Sequence, residues 1–164
     1  MHPLTPLEPE MNRVIRTLRG SRTRLSLMVV SVASLPEATL HIAVQAAAAP
    51  SDIVGLLMDG SVGLLSLGSL PGRDAGSAAE ERFRTKLRGV MKTICQRRAG
   101  ARITLWFRSA HRQAAELSSA ADMVACLFDS PAQPMTVSSG WARPVARSLP
   151  AYPPLLQQPL AVEV

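Results

Sequence analysis

Ile53-Val54-Gly55-Leu56-Leu57-Met58-Asp59-Gly60-Ser61-Val62-Gly63-Leu64-Leu65-Ser66-Leu67 is the stretch that decides the fold class. Two apolar runs, Ile53 to Leu57 and Val62 to Leu67, flank Met58-Asp59-Gly60-Ser61, and the Asp-Gly step suits the positive φ angles of a tight type I′ turn. The stretch is therefore predicted to be a β-hairpin. Upstream, Leu25 to Val32 is an apolar, β-branched run bounded by charge, which reads as a buried strand. Pro36 suits a first helical turn, and Ala38 to Ala49 carries a helix until Pro50 stops it.

The pattern continues in both directions. Met11, Val14, Ile15 and Leu18 recur at helical spacing with arginines between them, so an amphipathic helix precedes the first strand. Beyond a loop at Gly68 to Ser77, Phe83, Leu87, Val90, Met91 and Ile94 form one apolar stripe on a helix from Ala78 to Arg98. Ile103 to Phe107 reads as a strand, and Leu117, Ala120, Ala121, Val124 and Leu127 mark a last helix ending before Pro131. The central βαββαβ order predicts an α/β (α+β) fold: a ferredoxin-like sandwich, one sheet with helices packed on a face, preceded by an N-terminal helix. One domain is expected over residues 1–130. Residues 131–164, rich in proline and poor in charge, are expected to form an extended, flexible tail, with Trp141 and Tyr152-Pro153-Pro154-Leu155-Leu156 as points at which it docks on a partner.

Composition narrows the class. Apolar residues make up 47% of the 164 and charged ones 18%, enough to bury a core. No apolar run reaches the roughly 18 residues of a membrane-spanning helix, and no signal-peptide order is present near the start, so a soluble, cytoplasmic protein is expected. Cys95 and Cys126 lie far apart at apolar helical positions and read as buried thiols rather than metal ligands. The net charge of +6 is concentrated: ten Arg or Lys fall between residues 80 and 112, opposed by Glu80 and Glu81. Arg84, Arg88 and Lys92 recur about one turn apart, and with Arg97 and Arg98 they are the candidate surface for an anionic partner.

Several stretches, in order, resemble landmarks of the GGDEF (diguanylate cyclase) family. His2-Pro3-Leu4-Thr5-Pro6-Leu7 is similar to the family's opening D-x-L-T-G-L. Leu25 to Ala33 resembles its first core strand, which ends in D-L-D or D-V-D. Pro50 to Leu57 and Val62 to Leu65 resemble the strands entering and leaving the signature hairpin, and Ala115-Glu116-Leu117 to Ala120-Ala121-Asp122-Met123 resembles the closing L-x-x-A-D helix. The resemblance covers about residues 2 to 130. It implies a nucleotide-cyclase fold and a role in bacterial signalling.

The departures from that pattern bear on catalysis. Met58-Asp59-Gly60-Ser61-Val62 stands where the family has G-G-D-E-F, so Ser61 holds the acidic position, and Ser31 and Ala33 stand where its metal-binding aspartates would be. Joining two GTP molecules needs a hard divalent metal held by carboxylate oxygens, which serine and alanine do not supply. The following helix lacks the guanine-holding Asn and Asp, and no Arg-x-x-Asp precedes the hairpin. The resemblance therefore implies a pseudoenzyme without catalytic residues, metal or cofactor, acting on a protein partner or an anionic nucleotide.

Other single residues read more simply. Asp59 suits the turn it occupies. His41 and His111 show no Ser, Cys or acid nearby in the sequence arranged for nucleophilic work. Gly55, Gly60, Gly63 and Gly68 are too irregular for a phosphate loop. A basic nucleic-acid-binding protein is the alternative reading. Against it stand an aromatic content of 4% and the placing of Trp106 and Phe107 in a core-like strand. An enzyme of other chemistry on the same fold lacks any visible acid, base or nucleophile set.

Overall fold

The computed structural model of the chain describes residues 5–68, 75–98 and 102–138. The fold is mixed α+β, with four helices and one five-stranded sheet: α1 (Glu8–Thr17), β1 (Arg24–Ser31), α2 (Glu37–Ala47), β2 (Ile53–Leu56), β3 (Val62–Gly68), α3 (Ala75–Arg97), β4 (Arg102–Gln113), α4 (Ala120–Phe128) and β5 (Gln133–Ser138). A short 3-10 turn, Ala114–Glu116, links β4 to α4. The chain divides into two compact units, residues 1–90 with 104–136, and residues 91–103 with 137–164. Among the described residues no helix is long and apolar enough to cross a membrane.

The strand order is β2-β3-β1-β4-β5. β1 pairs antiparallel with both β3 and β4, and β2 pairs antiparallel with β3. A central strand covered on both faces is buried at successive positions, and six residues of β1, Leu25 to Val30, are buried, Ser26 being the one polar residue among them. Leu25, Leu27 and Val29 join Met11, Val14 and Ile15 of α1 and Met123 and Leu127 of α4 in one apolar cluster. The alternate residue Ser26 meets Glu80 of α3 through His111, so helices cover both faces of the sheet rather than one. α1 begins well, with Pro9 in its first turn, Glu8 and Glu10 at its positive end and Arg16 at its negative end.

The predicted hairpin forms, but not with a two-residue type I′ turn. Leu57 donates its N–H to Ser61 (2.9 Å) and Gly60 donates to Leu57 (3.0 Å), which leaves a three-residue connection, Met58-Asp59-Gly60. Gly60, at φ +86°, takes the left-handed position that such a loop requires. Residues 5–7 lie along β2: Leu56 donates to the Thr5 carbonyl (2.9 Å) and accepts from the Leu7 N–H (2.8 Å). Gly55 permits this approach, since a Cβ there would stand 2.7 Å from the Thr5 carbonyl oxygen.

Two further expectations change. The strand predicted as Ile103 to Phe107 runs on to Gln113, because its polar end, Arg108 to Gln113, pairs with β1 from Arg24 to Val29. Within the stretch expected to be an extended tail, Gln133–Ser138 is instead β5, with Met135 and Val137 buried and Pro134, Thr136 and Ser138 exposed in alternation. That is the period of a strand with one face on the core. Trp141 and Tyr152 to Leu156 lie outside the described residues. In the second unit, Met91, Cys95, Ile103 and Val137 are buried, and the Cys95 thiol faces the Val137 carbonyl at 3.5 Å.

Candidate functional site

The end of β1 and the β2-β3 turn meet at a cleft. Ser31 is the last residue of β1, opposite Trp106 of β4 in the register, and Ser61 follows the turn, 7% exposed. Asp59 Oδ1 accepts from the Ser61 backbone N–H (3.0 Å) and from the Ser61 hydroxyl (2.5 Å). This Asx-type bonding is what the turn needs to hold its shape. On one side a cleft of about 250 Å3 is lined by Ser31, Leu35, Glu37, Asp59 and Ser61. On the other a smaller one, about 50 Å3, is lined by Ser31, Asp59, Ser61, Trp106, Arg108 and Phe128. Ala33 is exposed.

Hydroxyls and two carboxylates converge here. Among the described residues no three His, Cys, Asp or Glu side chains gather as a metal site.

The basic helix splits in character. Arg84 is turned to the protein: its Nη1 lies 3.2 Å from Glu80 Oε2 and 3.3 Å from Gln133 Oε1, and its guanidinium sits 4.6 Å from the centre of the Phe107 ring. Its charge is already partnered. Arg88 is exposed in the first unit, as are Arg82 and Lys86. Lys92, Arg97 and Arg98 are exposed in the second unit. The one-turn repeat that grouped Arg84 with Arg88 thus joins a buried-side cation to a free-standing one.

His111 has partners that its sequence neighbourhood does not reveal. Nδ1 lies 2.8 Å from Ser26 Oγ on β1, and Nε2 lies 3.0 Å from Glu80 Oε1 on α3. Ser-His-Glu connectivity is the arrangement of a hydrolytic nucleophile. Here it fails on access, because Ser26 is 3% exposed and does not line the clefts at the sheet's end. The set is a structural polar link between sheet and helix. Burial opposes ionisation of Glu80, but hydrogen bonds from Ser109 and His111 and the charges of His111 and Arg84 outweigh it, holding the carboxyl below its ordinary value.

His41 is pushed below its ordinary value by burial, against the pull of Glu37. Burial raises the Cys95 thiol, with Arg98 opposing, which makes it a poor nucleophile. Cys126 is half-buried, and neither cysteine is in a disulfide.

Alternation along β4 is what the sequence reading missed. Phe107 is 1% exposed and stacks at 6.2 Å on Phe83, while its neighbour Trp106 faces outward at 47%. Phe128, the last residue of α4, is 52% exposed, with the Arg108 guanidinium 5.3 Å from its ring centre. No family model matches the chain, and no curated protein matches it.

Proposed function

We propose that the chain is a catalytically inactive, GGDEF-like regulatory or scaffolding module of bacterial signalling, built on a ferredoxin-like sandwich and working in the cytoplasm. The strand order β2-β3-β1-β4 supports the fold part of this reading, because a βαββαβ run with right-handed crossovers places its strands in that order. The segment at Thr5 to Leu7 beside β2, and the turn beside the end of β1, are where the resemblance puts the opening motif and the signature hairpin.

One observation carries the functional part. At the cleft where the resemblance would put metal-binding acids stand Ser31 and Ser61; Asp59, which shares the cleft with Glu37, gives Oδ1 to Ser61. The carboxylate oxygens by which the resembled family would hold magnesium are thus missing at those two positions. The module then acts by binding, through the exposed cations Arg88, Lys92 and Arg97 of α3 and Arg98 just after it, to a protein partner or an anionic nucleotide. Purified protein incubated with GTP and magnesium or manganese is expected to yield no cyclic di-GMP, and its appearance would overturn the reading.

Nucleic-acid binding is the alternative, and one finding favours it: Trp106 is exposed rather than part of the core. A strongly salt-dependent affinity for DNA or RNA would place the chain in that class.

A further inference from the structure

We propose that the cleft between Trp106 and Phe128 is a stacking site for a nucleobase, supplied by a free nucleotide or by an unpaired base of a single strand. The inference does not rest on the GGDEF-like reading. It starts from the sheet. Successive residues of a strand face opposite sides, so with Phe107 against α3 the indole of Trp106 stands on the other face, beside Ser31 and the end of α4, where it is 47% exposed. Among the described residues that indole enters no hydrogen bond and no ring contact. A large ring left about half exposed and unpartnered is a surface for another flat group.

The opposite rim is held in place. Arg108 stacks on the Phe128 ring, and its Nη1 donates to the Ser130 carbonyl (2.5 Å) and reaches the Phe128 carbonyl at 3.5 Å. The end of α4 is thereby fixed to β4, and the phenyl ring needs no reordering before a ligand arrives. The lining also includes the apolar Val29 and Leu127 and the polar Ser31, Ser61 and Asp59. Asp59 uses Oδ1 in the turn, and Oδ2 remains to accept from a ring N–H or an exocyclic amine.

Two aromatic rings, apolar side chains and hydroxyls with one carboxylate match a flat heterocycle with a hydrogen-bonding edge. Every base has two π faces, and its edge carries donors and acceptors. At about 50 Å3 the cleft is shallow, so the ring lies against Trp106 rather than inside a closed pocket. The charge balance agrees: Arg108 and Asp59 both line the cleft, one charge of each sign, which disfavours a bare anion in its place. The base, not the phosphate, is what the cleft recognises.

The test uses the full chain with Trp141→Phe, leaving Trp106 as the only indole. Its fluorescence is followed during titration with AMP, GMP, CMP and UMP, with ribose 5-phosphate, with a mixed-sequence single-stranded oligonucleotide of about 15 bases, and with the same oligonucleotide as a duplex. A saturable quench is expected with nucleotides or with the single strand, and none with ribose 5-phosphate. Binding of the single strand at least tenfold tighter than of any mononucleotide or of the duplex would identify nucleic acid as the source; equal affinities would identify the free nucleotide. Phe128→Ala, at an exposed position, should keep the fold by circular dichroism and weaken binding by about tenfold. Absence of quenching by every base-bearing ligand overturns the proposal, as does equal quenching by ribose 5-phosphate or an unchanged affinity in Phe128→Ala. None of these outcomes depends on the cyclase assay, so the two readings fail separately.

Discussion

His111 Nε2 stands 3.0 Å from Glu80 Oε1, and the same carboxylate also receives Arg84, so one acid ties β4 and two positions of α3 together. Because the folded Glu80 carboxyl lies below its ordinary value of 4.5, it stabilises the fold above that pH and loses the contribution as pH falls through the folded value. Glu80→Gln should cost about 1 to 2 kcal/mol at pH 7, the worth of hydrogen bonds to a charged group. The gap between variant and parent in thermal melts should close as the pH falls below 4.5 and through the folded value. A gap that stays constant would assign the loss to packing.

Gly55 and Gly89 should respond in opposite senses to the same change. A methyl at Gly55 would meet the Thr5 carbonyl oxygen at 2.7 Å and the Leu7 Cβ at 3.1 Å, both close to backbone with little freedom to move. Gly55→Ala is expected to destabilise by about 1 to 3 kcal/mol, as overpacking does. At Gly89, inside α3, an added Cβ meets nothing within 4 Å, and Gly89→Ala should stabilise by roughly 0.5 to 1 kcal/mol through helix propensity. Urea denaturation of the two variants beside the parent checks both signs.

In the turn, Asp59→Ala removes the acceptor for both the Ser61 N–H and its hydroxyl. Ser61 is buried, so the loss should reach about 1 to 2 kcal/mol. Gly60→Ala should cost about 1 kcal/mol because φ is +86°. Chemical denaturation should show both losses, and a neutral Asp59→Ala would show that the turn holds its shape without the side chain.

β5 makes truncation informative. A chain ending at residue 130 loses Met135 and Val137, which are 3% and 2% exposed, whereas one ending at 138 keeps them. Removing two buried apolar side chains of this size should cost at least about 3 kcal/mol. The shorter chain is expected to melt well below the longer one; equal melting points would mean that β5 adds nothing to the fold.

Elements whose burial is one-sided or complete could be read from residue order alone. The apolar run of β1, the stripe Phe83-Leu87-Met91 and the Asp-Gly turn each carry their own period or turn chemistry. The second half of β4 could not, because Arg108, Ser109, His111 and Arg112 look like a loop until Ser26 and Glu80 are brought to them by the fold. β5 was obscured by Pro134 within it and Pro131 before it. The aromatic pair Trp106-Phe107 was read as core throughout, although adjacent strand residues take opposite faces and only Phe107 is covered by α3. At the candidate site, the replaced acids were visible as letters. The cleft formed with Arg108 and Phe128 depends on contacts between residues about 20 positions apart.

Residues 5–7 have a consequence for self-association. β2 is an edge strand, and an open edge templates pairing with other chains. Both backbone groups of Leu56 are occupied by the chain's own Thr5 and Leu7. A foreign strand can add at this end of β2 only after peeling that segment away, so residues 5–7 serve as a guard against sheet-to-sheet aggregation.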